Sequence, residues 1–214
     1  IKFVPLYNYS KLLTELTEDL SIPKYSSHLI YLTKADREGE IEEKIMKSIF
    51  SKKPKRADVY WFVHINRTNE PFTLSYNVVE LVDDKVIKIN INAGFRVQPK
   101  VELYFKRIVK ELKERKELNL QYTSDNASKY NNDPDLKFVV IEKFISVENE
   151  FAFSEGVLLD LYFFLKRFSI SDTKAFGLDK SDVQVEYIPL VYHRIENLDL
   201  ERDAEKCKIK RYTD

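Results

Sequence analysis

Hydrophobic positions of both parities are bulky across Asp58-Val59-Tyr60-Trp61-Phe62-Val63-His64-Ile65. A strand sends successive side chains to opposite faces, so Val59, Trp61, Val63 and Ile65 share one face and Tyr60, Phe62 and His64 the other. That pattern predicts a central strand covered on both sides. Upstream, the apolar run at 27–33 predicts a first core strand. Residues 40–50 then place Ile41, Ile45, Met46, Ile49 and Phe50 on one helical face, with Glu42, Glu43, Lys44 and Lys47 off it. Strand, helix and strand in that order predict a βαβ unit. Alternation at 72–78 and again at 87–93, with Asp83-Asp84 between, predicts two half-buried strands paired as an antiparallel hairpin.

The second half follows the same logic. Val101, Tyr104, Phe105, Ile108 and Leu112 mark one stripe of a helix over 101–118, and the polar stretch 121–135 predicts a long surface loop. Residues 137–145 form a strand, 156–168 a largely buried helix, and 183–193 a strand closing the sheet, where Pro189 points to an edge position or a bulge. Residues 1–24 read as a lead-in: a short extended piece with Phe3, Val4 and Leu6, then a helix from Tyr9 bearing Leu12, Leu13, Leu16 and Leu20, ended by Pro23. The expected architecture is α/β: a mixed β-sheet with a βαβ start and an antiparallel hairpin, flanked by helices, occupying 25–214.

Composition narrows the classes of function. With 214 residues, 43% hydrophobic, the chain buries roughly 70% of its unfolded surface as one domain. Thirty-five Lys+Arg balance 35 Asp+Glu, which leaves no general basic field and argues against nucleic acid as a partner. One cysteine, Cys207, in the locally basic tail 206–211, cannot form an intramolecular disulfide. No apolar run reaches the roughly 18 residues of a membrane span. Ile1 in place of an initiator Met predicts a chain cut from something longer.

The chemistry of catalysis is missing from the sequence. Four glycines, Gly39, Gly94, Gly156 and Gly177, assemble neither a dinucleotide fingerprint nor a phosphate-cradling loop. His28, His64 and His193 are isolated, which predicts no metal centre, and Ser26-Ser27-His28 lacks a nucleophile elbow. The adjacent carboxylates Glu42-Glu43 and Asp83-Asp84 read as solvated. No cofactor and no catalytic residue are expected, so the chain is expected not to be an enzyme.

Two basic features remain. The elbow Lys52-Lys53-Pro54-Lys55-Arg56 suits a helix C-terminus, whose dipole cations offset; the alternative is a contact for lipid phosphate or a nucleotide. The loop Thr33-Lys34-Ala35-Asp36-Arg37 follows the first strand. Open α/β sheets bind ligands beyond the carboxyl ends of strands, which would bring Lys34 and Arg37 together with Arg67 on a phosphate. Three solvated surface cations are the alternative.

The segments His28-Leu29-Ile30-Tyr31-Leu32-Thr33, Ile41 through Phe50, Pro54 through His64, Glu70-Pro71-Phe72 and Gly94-Phe95-Arg96-Val97 resemble, in order and spacing, the C-terminal cytosolic region of the KUP (HAK/KT) potassium transporters. Ser21-Ile22-Pro23-Lys24 is similar to the family's lead-in, and the resemblance covers about 1–117. It implies a parent that imports K+ with H+, a Gram-positive source, and a chain at the cytoplasmic face of the cell membrane with 1–24 nearest the bilayer. Its own transmembrane portion would be one partner and a second copy, in a homodimer, another. The resemblance further implies cyclic di-AMP as a ligand that inhibits K+ uptake; no motif carries over residue by residue. A regulatory and assembly domain is therefore the expected function, against a stand-alone nucleotide-binding stress-type α/β protein or small enzyme.

Overall fold

A computed structural model describes residues 2–51, 53–120, 134–145, 177–178 and 182–190, the last three residues of the strands ending at 145 and 190 by backbone alone. The chain divides into two compact units, one of Ile1–Glu142 with Ser169–Ile188, the other of Lys143–Phe168 with Pro189–Asp214. Everything described below belongs to the first unit apart from the ends of two strands. The expected helix at 156–168, most of the loop at 121–135, residues 191–193, and the tail with Cys207 lie outside the described residues.

The elements are β1 (Phe3–Pro5), α1 (Tyr7–Glu18), β2 (Lys24–Thr33), β3 (Glu40–Glu42), α2 (Glu43–Ile49), β4 (Arg56–Thr68), β5 (Leu74–Val82), β6 (Val86–Gly94), α3 (Val101–Glu114), β7 (Leu136–Ile145) and β8 (Val183–Leu190). Six strands form one sheet in the order β5-β6-β4-β2-β7-β8, and β1 pairs with β3 apart from it. β2 runs parallel to β4 and to β7, β4 parallel to β6, and β5 antiparallel to β6. The sheet is mixed, as expected. β2, α2 and β4 form the βαβ unit, β5 and β6 the hairpin, and Pro189 sits on the edge strand.

β4 alternates as its sequence dictates. Val59, Trp61 and Val63 join Ile30, Ile87, Ile89 and Phe138 in a core capped by Phe105, Ile108 and Leu112 of α3. Tyr60 and Phe62 join Leu29, Tyr31 and Val139 in a second core under Leu13 and Leu16 of α1 and Ile45, Met46 and Ile49 of α2. Trp61 is fully buried, donates its indole N–H to His28 Nδ1 at 2.9 Å, and meets Phe105 edge-on at 5.0 Å between centroids.

Three local expectations shift. Residues 40–42 are strand, not helix, because they pair with Phe3–Pro5, and α2 starts only at Glu43. The helix of the lead-in turns to bury Leu13 and Leu16, leaving Leu12 and Leu20 exposed. β6 is buried on both faces, not one: Lys88 is wholly enclosed, and its ammonium donates to the carbonyls of Arg37 and of Glu40. Those carbonyls supply what water would, and burial still lowers the pKa of Lys88.

Candidate functional site

The loop after β2 is tied down from beneath. Glu42, expected to be solvated, is buried; it accepts the Thr33 hydroxyl at 2.8 Å and the Lys34 N–H at 3.0 Å and lies 3.4 Å from Lys44 Nζ. With Lys88 holding the Arg37 carbonyl, the loop's backbone is fixed by two buried charges that sequence reasoning passed over. An alternating strand hides which of its polar residues will be roofed by a distant loop, and no local signal separates Lys88 from Asn90.

The three predicted cations face outward from that frame. Lys34 and Arg37 have exposed side chains, and Arg37 pairs with Glu40 in its own loop at 3.1 Å. Arg67 lies three residues beyond His64, whose Nδ1 is 3.1 Å from the Thr33 carbonyl, and at the level of Ala93 in β6. Its guanidinium donates to the carbonyls of Gly94 at 3.3 Å and Val97 at 2.8 Å. Arg67 thus latches the turn after β6. That turn carries Gly94, where an added Cβ would stand 2.4 Å from the Glu70 carbonyl oxygen, and Arg96, which lies over the rings of Phe72 and Phe95.

A wide concavity lies at the other end of the strands. A cavity of about 1210 Å³ opens where the amino ends of β2 and β4 meet α2 and β8. The basic elbow is its wall: Lys53, Pro54 and Lys55 line it, with Lys24, Lys44 and Lys47 making five lysines among the described residues of the lining, where the carboxylate is Glu186. Lys44, Lys47 and Ser48 share one face of α2 because they stand three and four residues apart. Pro54 cannot extend a helix, so the chain turns there and feeds Lys55 inward ahead of β4.

A buried polar chain forms the floor. Lys55 Nζ pairs with Glu186 Oε1 at 2.6 Å and donates to Ser48 Oγ at 2.7 Å and the Ser48 carbonyl at 2.9 Å. Ser48 gives its proton to Glu186 Oε2 at 2.5 Å, which makes Tyr31 the donor in the 2.7 Å contact between their hydroxyls. Gln184 reaches Glu186 at 3.1 Å and accepts the Tyr25 hydroxyl. Burial holds the Tyr31 phenol well above its ordinary pKa; burial, then Glu186, raises that of Tyr25. Both phenols therefore stay neutral donors. Around the rim, Lys47 bonds to Glu43 at 3.2 Å and Lys53 is exposed; Lys2 and Lys47 hold the Glu43 carboxyl below its usual pKa. Such an exposed helical pair contributes little, so Lys47 is easily recruited elsewhere.

Among the described residues no group of three or more His, Cys, Asp and Glu is placed to hold a metal ion, and no helix is long and apolar enough to cross a membrane. His28 accepts from Trp61 inside the core, and burial, with Lys113 next, lowers its pKa to about 4.

Comparison with known proteins gives the family. The K+ potassium transporter C-terminal domain matches residues 26–190. A probable potassium transport system protein Kup of Flavobacterium psychrophilum is 44% identical over 98% of this chain and 31% of its own length. Proteins of the same name from Cytophaga hutchinsonii and Clostridium perfringens are 45% and 35% identical, each over 94% of this chain and 31% and 30% of theirs. The chain spans about a third of the length of the curated relatives it matches, all named as transport proteins and not as enzymes. Flavobacterium is Gram-negative, so a Gram-positive source gains nothing from that relative. No solved structure matches the chain.

Proposed function

Since the chain belongs to the K+ potassium transporter C-terminal domain family, we propose that it is the cytosolic regulatory and assembly domain of a proton-coupled potassium importer, attached to a membrane portion that carries the ion. The observation that carries this reading is the span of the match. Residues 26–190 run from β2 to β8, so the family domain coincides with the whole six-stranded sheet. A module of that kind acts by favouring one conformation of the transporter, and a ligand shifts the balance only through its differential affinity for the two states. A tenfold preference is worth about 1.4 kcal/mol.

The ligand in this reading is cyclic di-AMP, bound between two copies of the domain at Lys34, Arg37 and Arg67. A two-fold symmetric dinucleotide suits a two-fold interface, because each half meets the same patch. The exposed guanidinium of Arg37, on a backbone fixed by Glu42 and Lys88, supports it. Calorimetric titration of the 214-residue chain with cyclic di-AMP tests the site, with loss of binding expected in Arg37→Ala/Arg67→Ala. Potassium uptake by cells expressing the whole transporter, with and without the segment encoding this chain, tests the regulatory role. Absence of heat would remove the ligand, wild-type affinity in the double variant would remove the site, and uptake indifferent to deletion would remove the function.

A further inference from the structure

We propose that the lysine-walled cavity at the amino ends of β2 and β4 is a second anion site, one that takes a phosphate-bearing ligand. It goes beyond the reading above, in which the ligand lies past the carboxyl ends of the same strands. Among the described residues five lysines from β2, α2 and the elbow line the cavity; Asp58, Glu42 and Glu43 stand behind Lys24, Lys44 and Lys47, and the lining carboxylate, Glu186, is already engaged by Lys55, Ser48 and Gln184. The floor is therefore satisfied and fixed, while the exposed ammonium groups of Lys47 and Lys53 sit on the wall.

The lysines divide the work. Lys24 and Lys44 are largely buried, held by Asp58 and Glu42, and shape the wall from fixed positions. Lys47 and Lys53, both exposed, sit on flexible stems at the rim and close on the ligand; Lys47 exchanges Glu43 for a phosphate oxygen. Ammonium groups on flexible stems suit phosphate as converging point charges, and bonds between ionised partners are the strong ones. At about 1210 Å³ the cavity far exceeds an inorganic phosphate, so the phosphate arrives on a larger body. The exposed ring of Tyr187 on the wall offers that body a face. A soluble organic phosphate and an anionic lipid headgroup share this chemistry.

Inorganic tripolyphosphate titrated calorimetrically into the 214-residue chain probes the soluble arm. Co-sedimentation with phosphatidylcholine vesicles, with and without phosphatidylglycerol, probes the lipid arm. The variant is Lys47→Glu/Lys53→Glu, both at exposed positions; the control is Lys106→Glu/Lys110→Glu, exposed on α3 across the sheet. Saturable binding weakened at least about tenfold in the first variant and kept in the second supports the site, and the arm in which it occurs names the source. Binding in neither arm, binding unchanged in Lys47→Glu/Lys53→Glu, or binding lost equally in both variants overturns it.

Discussion

The two faces of the sheet solve the same problem with different materials. Against α3 the contact is a ring stack: Trp61 with Phe105 at 5.0 Å, Phe105 with Phe138 at 5.9 Å, and His28 beside them at 5.9 Å from Trp61, its buried Nδ1 taken up by the indole N–H. Against α1 and α2 the apolar contacts are interrupted by buried ions, Lys55 with Glu186 at the amino end and Lys88 with two carbonyls further along. Dispersion and area hold the first face and are indifferent to exact partners, whereas the second works only if each charge keeps the one group aimed at it. The tolerant face covers the core; the exacting one carries the cavity.

The largest effects break each face in its own way. Trp61→Ala empties the centre of the ring stack and strands His28, and should cost about 3–5 kcal/mol. Lys55→Met leaves Glu186 half-buried without its cation and should cost about 3 kcal/mol, yet adding Glu186→Gln should return part of that loss. No second-site change on the α3 face should rescue Trp61→Ala to the same extent. Denaturant unfolding of the native chain, Trp61→Ala, Lys55→Met, Glu186→Gln and the Lys55→Met/Glu186→Gln double variant measures this, and additivity of Lys55→Met and Glu186→Gln would show that the two faces do not differ as described.

The same contrast explains what was legible in the sequence. Period-two alternation revealed β4, and a stripe at helical spacing revealed α3, because apolar burial repeats locally. The antiparallel hairpin followed from Asp83-Asp84, and Asp84 indeed sits in the left-handed region at φ 56°. Lys88 and Glu42 looked solvated because nothing within a few residues announces a roof built from elsewhere. Lys55 meets Glu186 across 131 positions, so the floor of the cavity had no local signature. The elbow read both as cations at a helix C-terminus and as a phosphate contact; the loop at Lys34 and Arg37 drew attention through the strand-end rule, and the cavity lined by the elbow lies at the opposite ends.

Acid should weaken the α3 face through His28. Unfolded, this imidazole takes a proton near pH 6.5; folded, burial together with Lys113 and Lys24 delays it to about 4, against the pull of Asp135. Between those values the unfolded chain binds more protons, so stability contributed by neutral His28 is present above pH 6.5 and lost as pH falls to about 4. The loss amounts to up to about 3 kcal/mol. In His28→Asn the amide oxygen can still accept from Trp61 but does not titrate. Stability measured from pH 7 downward should fall more steeply in the native chain than in the variant, and parallel curves would remove His28 as the cause.

The smallest effect concerns how the two covering helices end. α2 stops at Phe50 with ordinary backbone angles, and the elbow with Pro54 follows. α3 ends in a left-handed residue, Lys116, at φ 58°, with the Lys116 N–H bonded to the Lys113 carbonyl and the Glu117 N–H to that of Leu112 at 2.9 Å. That pair of bonds closes a helix best with glycine at the left-handed position, since any Cβ there crowds the next carbonyl. Lys116 is exposed, so its side chain gives little in return. Lys116→Gly should therefore stabilise the chain by about 0.5–1 kcal/mol, the relief of strain exceeding the extra freedom glycine gives the unfolded state. In a chain of this size that raises the melting temperature by roughly 1–4 °C. Lys116→Ala keeps the Cβ while removing the charge and should gain nothing. If alanine stabilises as much as glycine, the lysine's charge and not its backbone is what burdens the end of α3.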